Sequence, residues 1–115
     1  MSFSLTKKQI RERTKTVTRR LGWDTLKPGE RFLAVEKCMG LKKGEKHKIL
    51  ALCECVSNHR ERLKEITQND VRLEGFPELR PEDFISFFWR KMRCHPNHFV
   101  NRIEFKYVDQ EAQSS

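Results

Sequence analysis

A chain of 115 residues has the length of a single domain, and half of it would be too short to bury a second independent core. Its 24 Lys and Arg against 16 Asp and Glu leave a net charge of +8, an excess that favours polyanionic partners over neutral ones. No apolar run approaches the roughly 20 residues that cross a bilayer, and the N-terminus lacks the apolar segment and cleavage site of an export signal, so a soluble cytoplasmic protein is expected.

Thr6 and Gln9 have the spacing of a capping box, which predicts a short helix from about Lys7 to Arg13. This stretch opens the most basic part of the chain: residues 7–20 hold Lys7, Lys8, Arg11, Arg13, Lys15, Arg19 and Arg20 against Glu12 alone. Thr14, Thr16, Val17 and Thr18 are β-branched, so the backbone there is expected to leave the helix and become extended. Pro28 and Gly29 mark a turn ahead of a strand that begins near Arg31 and runs through Phe32 to Val35.

Residues 39–46, with Gly40 and Gly44 among charged side chains, read as an exposed basic loop. A second, longer strand is expected over 49–56, and the charged stretch 58–64 closes it. Cys53 and Cys55 lie in that apolar run without the loop-rich setting of a disulfide scaffold, so the four cysteines, with Cys38 and Cys94, read as reduced thiols. Thr67 with Asp70 predicts the start of a short helix ending near Gly75. Pro81, Glu82 and Asp83 open a stronger one, whose Phe84, Phe87, Phe88 and Met92 recur at helical spacing. The last strand alternates Ile103, Phe105 and Tyr107 with Arg102, Glu104 and Lys106 before a frayed tail at 109–115. The pattern is α+β, with a curved sheet or partial barrel and helices between its second and last strands.

Several of these residues resemble one family. Lys15, Thr16, Val17, Thr18, Arg19 and Arg20, the Pro28-Gly29-Glu30 turn, Ile66-Thr67, Glu74, an aromatic helix and the closing Ile103-Glu104-Phe105 follow the order of the ASCH domain. The resemblance spans roughly residues 10–108, with 1–9 as an N-terminal extension or the start of the first helix. It implies a PUA-like β-barrel flanked by short helices, a fold that related domains use to bind RNA. It is similar also to small bacterial ASCH proteins that deacetylate N(4)-acetylcytidine with a lysine, a threonine and a glutamate. By motif position these would be Lys15, Thr18 and Glu74. The basic loop at 39–48 and the Phe-rich helix depart from that pattern.

Chemically, Thr18 is a candidate nucleophile for an amide carbonyl, with a desolvated Lys15 as base and Glu74 orienting or shuttling protons. Residues three apart point to opposite faces of a regular strand, so a shared site for Lys15 and Thr18 requires a bulge or turn. The plainer alternative is an ion pair between Lys15 and Glu74 with Thr18 as an ordinary strand residue. For nucleic acid, Arg13, Lys15, Arg19, Arg20, Lys42, Lys43, Lys46 and Lys48 are the cations expected to track phosphates. Trp23, flanked by Gly22 and Asp24, is the stacking candidate, while Trp89 reads as core. Cys94, His95 and His98 do not have the spacing of a zinc site, so no metal or cofactor is expected. The primary expectation is an RNA-binding or single-strand-binding domain with a basic cleft at Lys15, Arg20 and Glu74, and the alternative is the amidohydrolase.

Overall fold

The computed structural model describes residues 1–36 and 48–108. Lys42, Lys43, Lys46, Cys38 and the tail lie outside the described residues. The order of elements is α1 (Lys7–Arg11), β1 (Val17–Arg20), β2 (Arg31–Val35), β3 (Ile49–Arg62), a 3-10 turn (Leu63–Glu65), α2 (Gln68–Leu73), α3 (Pro81–Met92) and β4 (Phe99–Tyr107). The strands form one antiparallel sheet of order β1-β4-β3-β2, curled into a half-barrel. Among the described residues no helix is long and apolar enough to cross a membrane.

β3 is longer than the charge of its second half suggests. Its ladder with β4 continues from Cys53↔Tyr107 to Arg62↔Phe99, with a register shift between Cys55 and Ser57. That shift inserts an extra residue, bends the strand and exchanges the faces to which alternate side chains point. Before it, Cys53 and Cys55 are buried in the half-barrel; beyond it, Asn58, Arg60 and Arg62 share one face and His59 and Glu61 the other.

Two cores result. Phe3, Ile10, Phe32, Cys53, Cys55, Ile103 and Phe105 fill the half-barrel, while Leu63, Ile66, Val71, Phe84, Phe88, Cys94 and Val100 pack the helices against the sheet. β4 serves both, because Val100 and Ile103 are three apart and point to opposite faces. The first residues join the half-barrel core: Met1 and Phe3 are buried, and Phe3 N donates to Val35 O at 2.9 Å.

Local signals explain the helices. Thr67 caps α2 by accepting from Asp70 N at 3.2 Å. Pro81 sits in the first turn of α3, and the Asp83 carboxylate accepts from Arg80 N at 3.2 Å. At α1 the expected capping box does not form: Thr6 makes no side-chain cap, and Gln9 Nε2 donates instead to Gly75 O at 3.2 Å. α3 buries Phe84 and Phe88 but leaves Trp89 48% exposed, so Trp89 is a surface residue and not core. Periodicity placed a stripe on this helix, and Trp89, one residue beyond Phe88, turns about 100° away from it.

Candidate functional site

α1 ends with Arg13 in a left-handed conformation, φ 60°, which turns the chain from the helix into the sheet edge. Thr14 N donates to Gln9 O at 2.9 Å and Thr16 N to Leu73 O at 2.9 Å, so the segment between them runs extended beside the end of α2. Lys15 leaves this segment into the interior. Its Nζ donates to Glu74 Oε1 at 2.6 Å and to Glu74 O at 2.9 Å. β1 then keeps an unbroken register with β4, from Val17↔Glu104 to Arg20↔Asn101. Of the bulge or turn expected for a shared site, no bulge breaks the pairing of β1 with β4: Lys15 lies ahead of the paired residues, and its long side chain and Thr18 line the same cavity.

Glu74 is fixed from the other side. It is the C-terminal cap of α2, and Gly75 follows at φ +102°, a conformation that favours glycine. A Cβ at Gly75 would stand 2.7 Å from Gln9 Cγ, so the absence of a side chain lets α1 and the end of α2 approach. Glu74 Oε2 accepts from Arg19 at 3.2 Å, which leaves Oε1 facing Lys15.

Arg19 is the centre of a buried network. Its guanidinium is 0% exposed and also donates to Asp70 Oδ2 at 2.6 Å and Glu61 Oε2 at 2.8 Å. Arg102 grips Asp70 with two bonds, at 2.7 and 3.0 Å. Lys15, Arg19 and Arg102 against Glu61, Asp70 and Glu74 make a set whose formal charges cancel, the condition under which buried ions are tolerated. Desolvation lowers the Lys15 amine below its usual range, opposed by the Glu74 carboxylate. Hydrogen bonding from Arg102, aided by Arg19 and opposed by burial, holds the Asp70 carboxyl down at about 2.

The cavity beside this network has a volume of about 220 Å³. Its lining joins Lys15, Thr18, Arg19, Arg20 and Glu74 with Phe3, Phe76, Phe84, Phe87, Phe88 and Met92, and the N-terminal segment adds Ser2, Ser4, Leu5 and Thr6. Arg20 Nε donates to Thr18 Oγ1 at 3.0 Å, and its guanidinium stacks 4.5 Å from the centre of the Phe3 ring. The structure thus brings Lys15, Thr18, Arg19, Arg20 and Glu74 together. It does not bring Arg13 there, whose guanidinium lies over Tyr107 at 5.4 Å, nor Trp23, which is 43% exposed in the loop after β1 at φ 66°. Arg19, read from sequence as a phosphate contact, has its guanidinium held by the carboxylates of Glu61, Asp70 and Glu74. Sequence reasoning did not assign Glu61, Asp70 or Arg102 to the site. The available signal was charge within otherwise structured segments, since a buried arginine requires acidic partners.

Comparison with known proteins adds the fold. No family model matches the sequence, and no curated protein matches it. Among solved structures, protein EF3133 of Enterococcus faecalis V583, from family DUF984, is similar at TM-score 0.62 and 15% identity, over 97% of this chain and 73% of that one. An ASCH domain from Lactobacillus crispatus JV V101 is similar at TM-score 0.58 and 15% identity, over 90% of this chain and 70% of that one. With its curled antiparallel half-barrel and flanking helices, the chain has the fold of an ASCH domain.

Proposed function

We propose that this domain binds RNA or single-stranded nucleic acid by admitting one unpaired base, with its sugar, to the cavity beside Lys15 and Glu74. The observation that carries the reading is a buried, hydrogen-bonded Lys15–Glu74 pair lining a cavity that five phenyl rings also line. A nucleobase has apolar faces that pack on such rings and a polar edge that needs both a donor and an acceptor. Arg20, in the same lining, offers a cation to the adjoining phosphate.

Saturation binding of free nucleosides and of short single-stranded RNA, with Phe87→Ala in parallel, tests this. Phe87 is half-buried on the cavity wall, so its truncation should weaken nucleoside binding by about tenfold, as for loss of a base–aromatic contact. Nucleoside affinity indifferent to Phe87 would overturn the assignment of the cavity.

A second reading is favoured by one further observation: the Lys15 amine is desolvated, and the Thr18 hydroxyl lines the same cavity. In that reading the domain hydrolyses an N-acylated cytidine-like nucleoside. Lys15, once it has passed a proton to Glu74, takes the Thr18 proton as Oγ attacks the acyl carbonyl; collapse expels the nucleoside amine, which receives that proton, and water then releases the acyl group as a carboxylic acid. Arg20, donating to Thr18 Oγ1, holds the nucleophile and favours its anionic form. Acetate release from N(4)-acetylcytidine that persists in Lys15→Ala, Thr18→Ala and Glu74→Gln would exclude this mechanism.

A further inference from the structure

The outer end of the β3–β4 ribbon carries a feature that the cavity does not use. Phe99 is 47% exposed although it stands within a strand. It is directly opposite Arg62 in the ladder, and Arg60, two residues away, shares its face. Both guanidiniums lie on its ring, Arg62 at 5.0 Å and Arg60 at 5.1 Å from the centroid. Among the described residues neither is paired with a carboxylate, in contrast to Arg19 and Arg102 on the opposite face, which carboxylates hold.

A second exposed ring adjoins this group. Asn101 is directly opposite Arg60 and donates to Gly22 O and Asp24 Oδ1, and Asn58 donates to Trp23 O at 2.9 Å. The two asparagines thereby pin the loop carrying Trp23 against the face on which Arg60, Arg62 and Phe99 stand. Trp23 is held in a left-handed conformation, φ 66°, which a bulky residue adopts only at a local cost, yet its side chain stays 43% exposed. The outcome is two exposed aromatic residues on one face, with two guanidiniums against the ring of Phe99.

We infer that this face is a second contact surface for a single-stranded nucleic acid, with bases packed on Trp23 and on the part of the Phe99 ring that the guanidiniums leave exposed, and backbone phosphates on Arg60 and Arg62. The inference rests on the reading of the domain as a single-strand binder and places the strand's track outside the cavity. Aromatic platforms interleaved with cations suit single strands because unpaired bases expose their faces, whereas a duplex hides them. A neutral or cationic partner has no use for two guanidiniums free of carboxylates.

The test is fluorescence anisotropy of a short labelled oligouridylate against the whole chain, over a salt series, with a duplex of equal length alongside. Phe99→Ala should weaken oligouridylate binding about tenfold. Arg60→Gln with Arg62→Gln should lower the slope of log affinity against log salt by about 1.4, from about 0.7 per phosphate contact on a single strand. Thermal melts that match the unsubstituted protein show that Phe99→Ala, at an exposed position, acts on binding and not on folding. Binding insensitive to both sets of changes overturns the inference, as does equal affinity for duplex or no saturable oligouridylate binding at low salt. The cavity reading fails separately: nucleoside binding indifferent to Phe87→Ala, together with oligouridylate binding that depends on Phe99, removes the cavity and leaves this surface standing.

Discussion

Replacing Glu74 by Gln would strip one charge from the buried network while keeping its shape. Glu74 faces Lys15 at 2.6 Å and Arg19 at 3.2 Å, with all three side chains under 5% exposed. At 2.6 Å and an effective dielectric constant of about 20, the Lys15–Glu74 attraction is on the order of 6 kcal/mol, most of it offset by removing both ions from water. Removing one partner leaves the desolvation without the attraction, a loss of about 3–5 kcal/mol. A chain of 115 residues has a total stability of about 6–17 kcal/mol, so the single variant should be severely destabilised in urea unfolding. Lys15→Met carries a milder cost, because Glu74 keeps Arg19. The Lys15→Met/Glu74→Gln double variant should then be at least about 2 kcal/mol more stable than the sum of the single losses, since no amine is left buried without its carboxylate. Losses that add to within about 0.5 kcal/mol would show that the two groups do not depend on each other, and the reasoning would be wrong.

Three further outcomes follow from the same geometry. Because Glu74 is what raises Lys15 against desolvation, Glu74→Gln should move the Lys15 titration further below its ordinary 10.5, as read by NMR of its side-chain carbon; an upward move would contradict the assignment. The Asp70 carboxyl lies below its ordinary 3.8, at about 2, so its contribution is fully present above about pH 4 and is lost as pH falls toward about 2. Urea titrations across that window should show about 2 kcal/mol of pH-dependent stability that Asp70→Asn abolishes. Gly75→Ala should cost about 1–3 kcal/mol through its positive φ and the approach to Gln9 Cγ, and in a Gln9→Ala background the cost should fall to the backbone share alone.

The elements that could be read from sequence are those whose signals are local. Alternation in β4, the Phe spacing of α3 with acids in its first turn, and the Pro28-Gly29 turn before β2 all depend on neighbours along the chain, and each element stands where it was expected. The second half of β3 was not legible because its side chains do not alternate apolar with polar: His59 and Glu61 face a polar network, while Arg60 and Arg62 lie against Phe99. A run of charges reads as loop unless the partner strand is known. The Lys15–Glu74 contact was anticipated from motif position, and also as a plain ion pair. The partners of Arg19 were not legible for the opposite reason: its surroundings in sequence are basic, and the carboxylates that hold it lie 42, 51 and 55 residues away.

The register of β1 with β4 explains why that network is built as it is. Arg19 and Arg102 are directly opposite each other in the ladder, an arrangement of like charges that destabilises a sheet. Asp70 Oδ2 accepts from both, at 2.6 and 2.7 Å, and so turns a repulsive pair into a bridge between the strands and α2. With one side of the Arg19 guanidinium fixed by Asp70 and Glu61, its remaining reach falls on Glu74 Oε2, and Glu74 Oε1 is left to Lys15. The positions of Lys15 and Glu74 are therefore tied to a pairing on the sheet, which reaches Glu74 through Arg19. A site supported in this way keeps one geometry for its donor and acceptor, which is what discrimination among planar ligands with different polar edges requires.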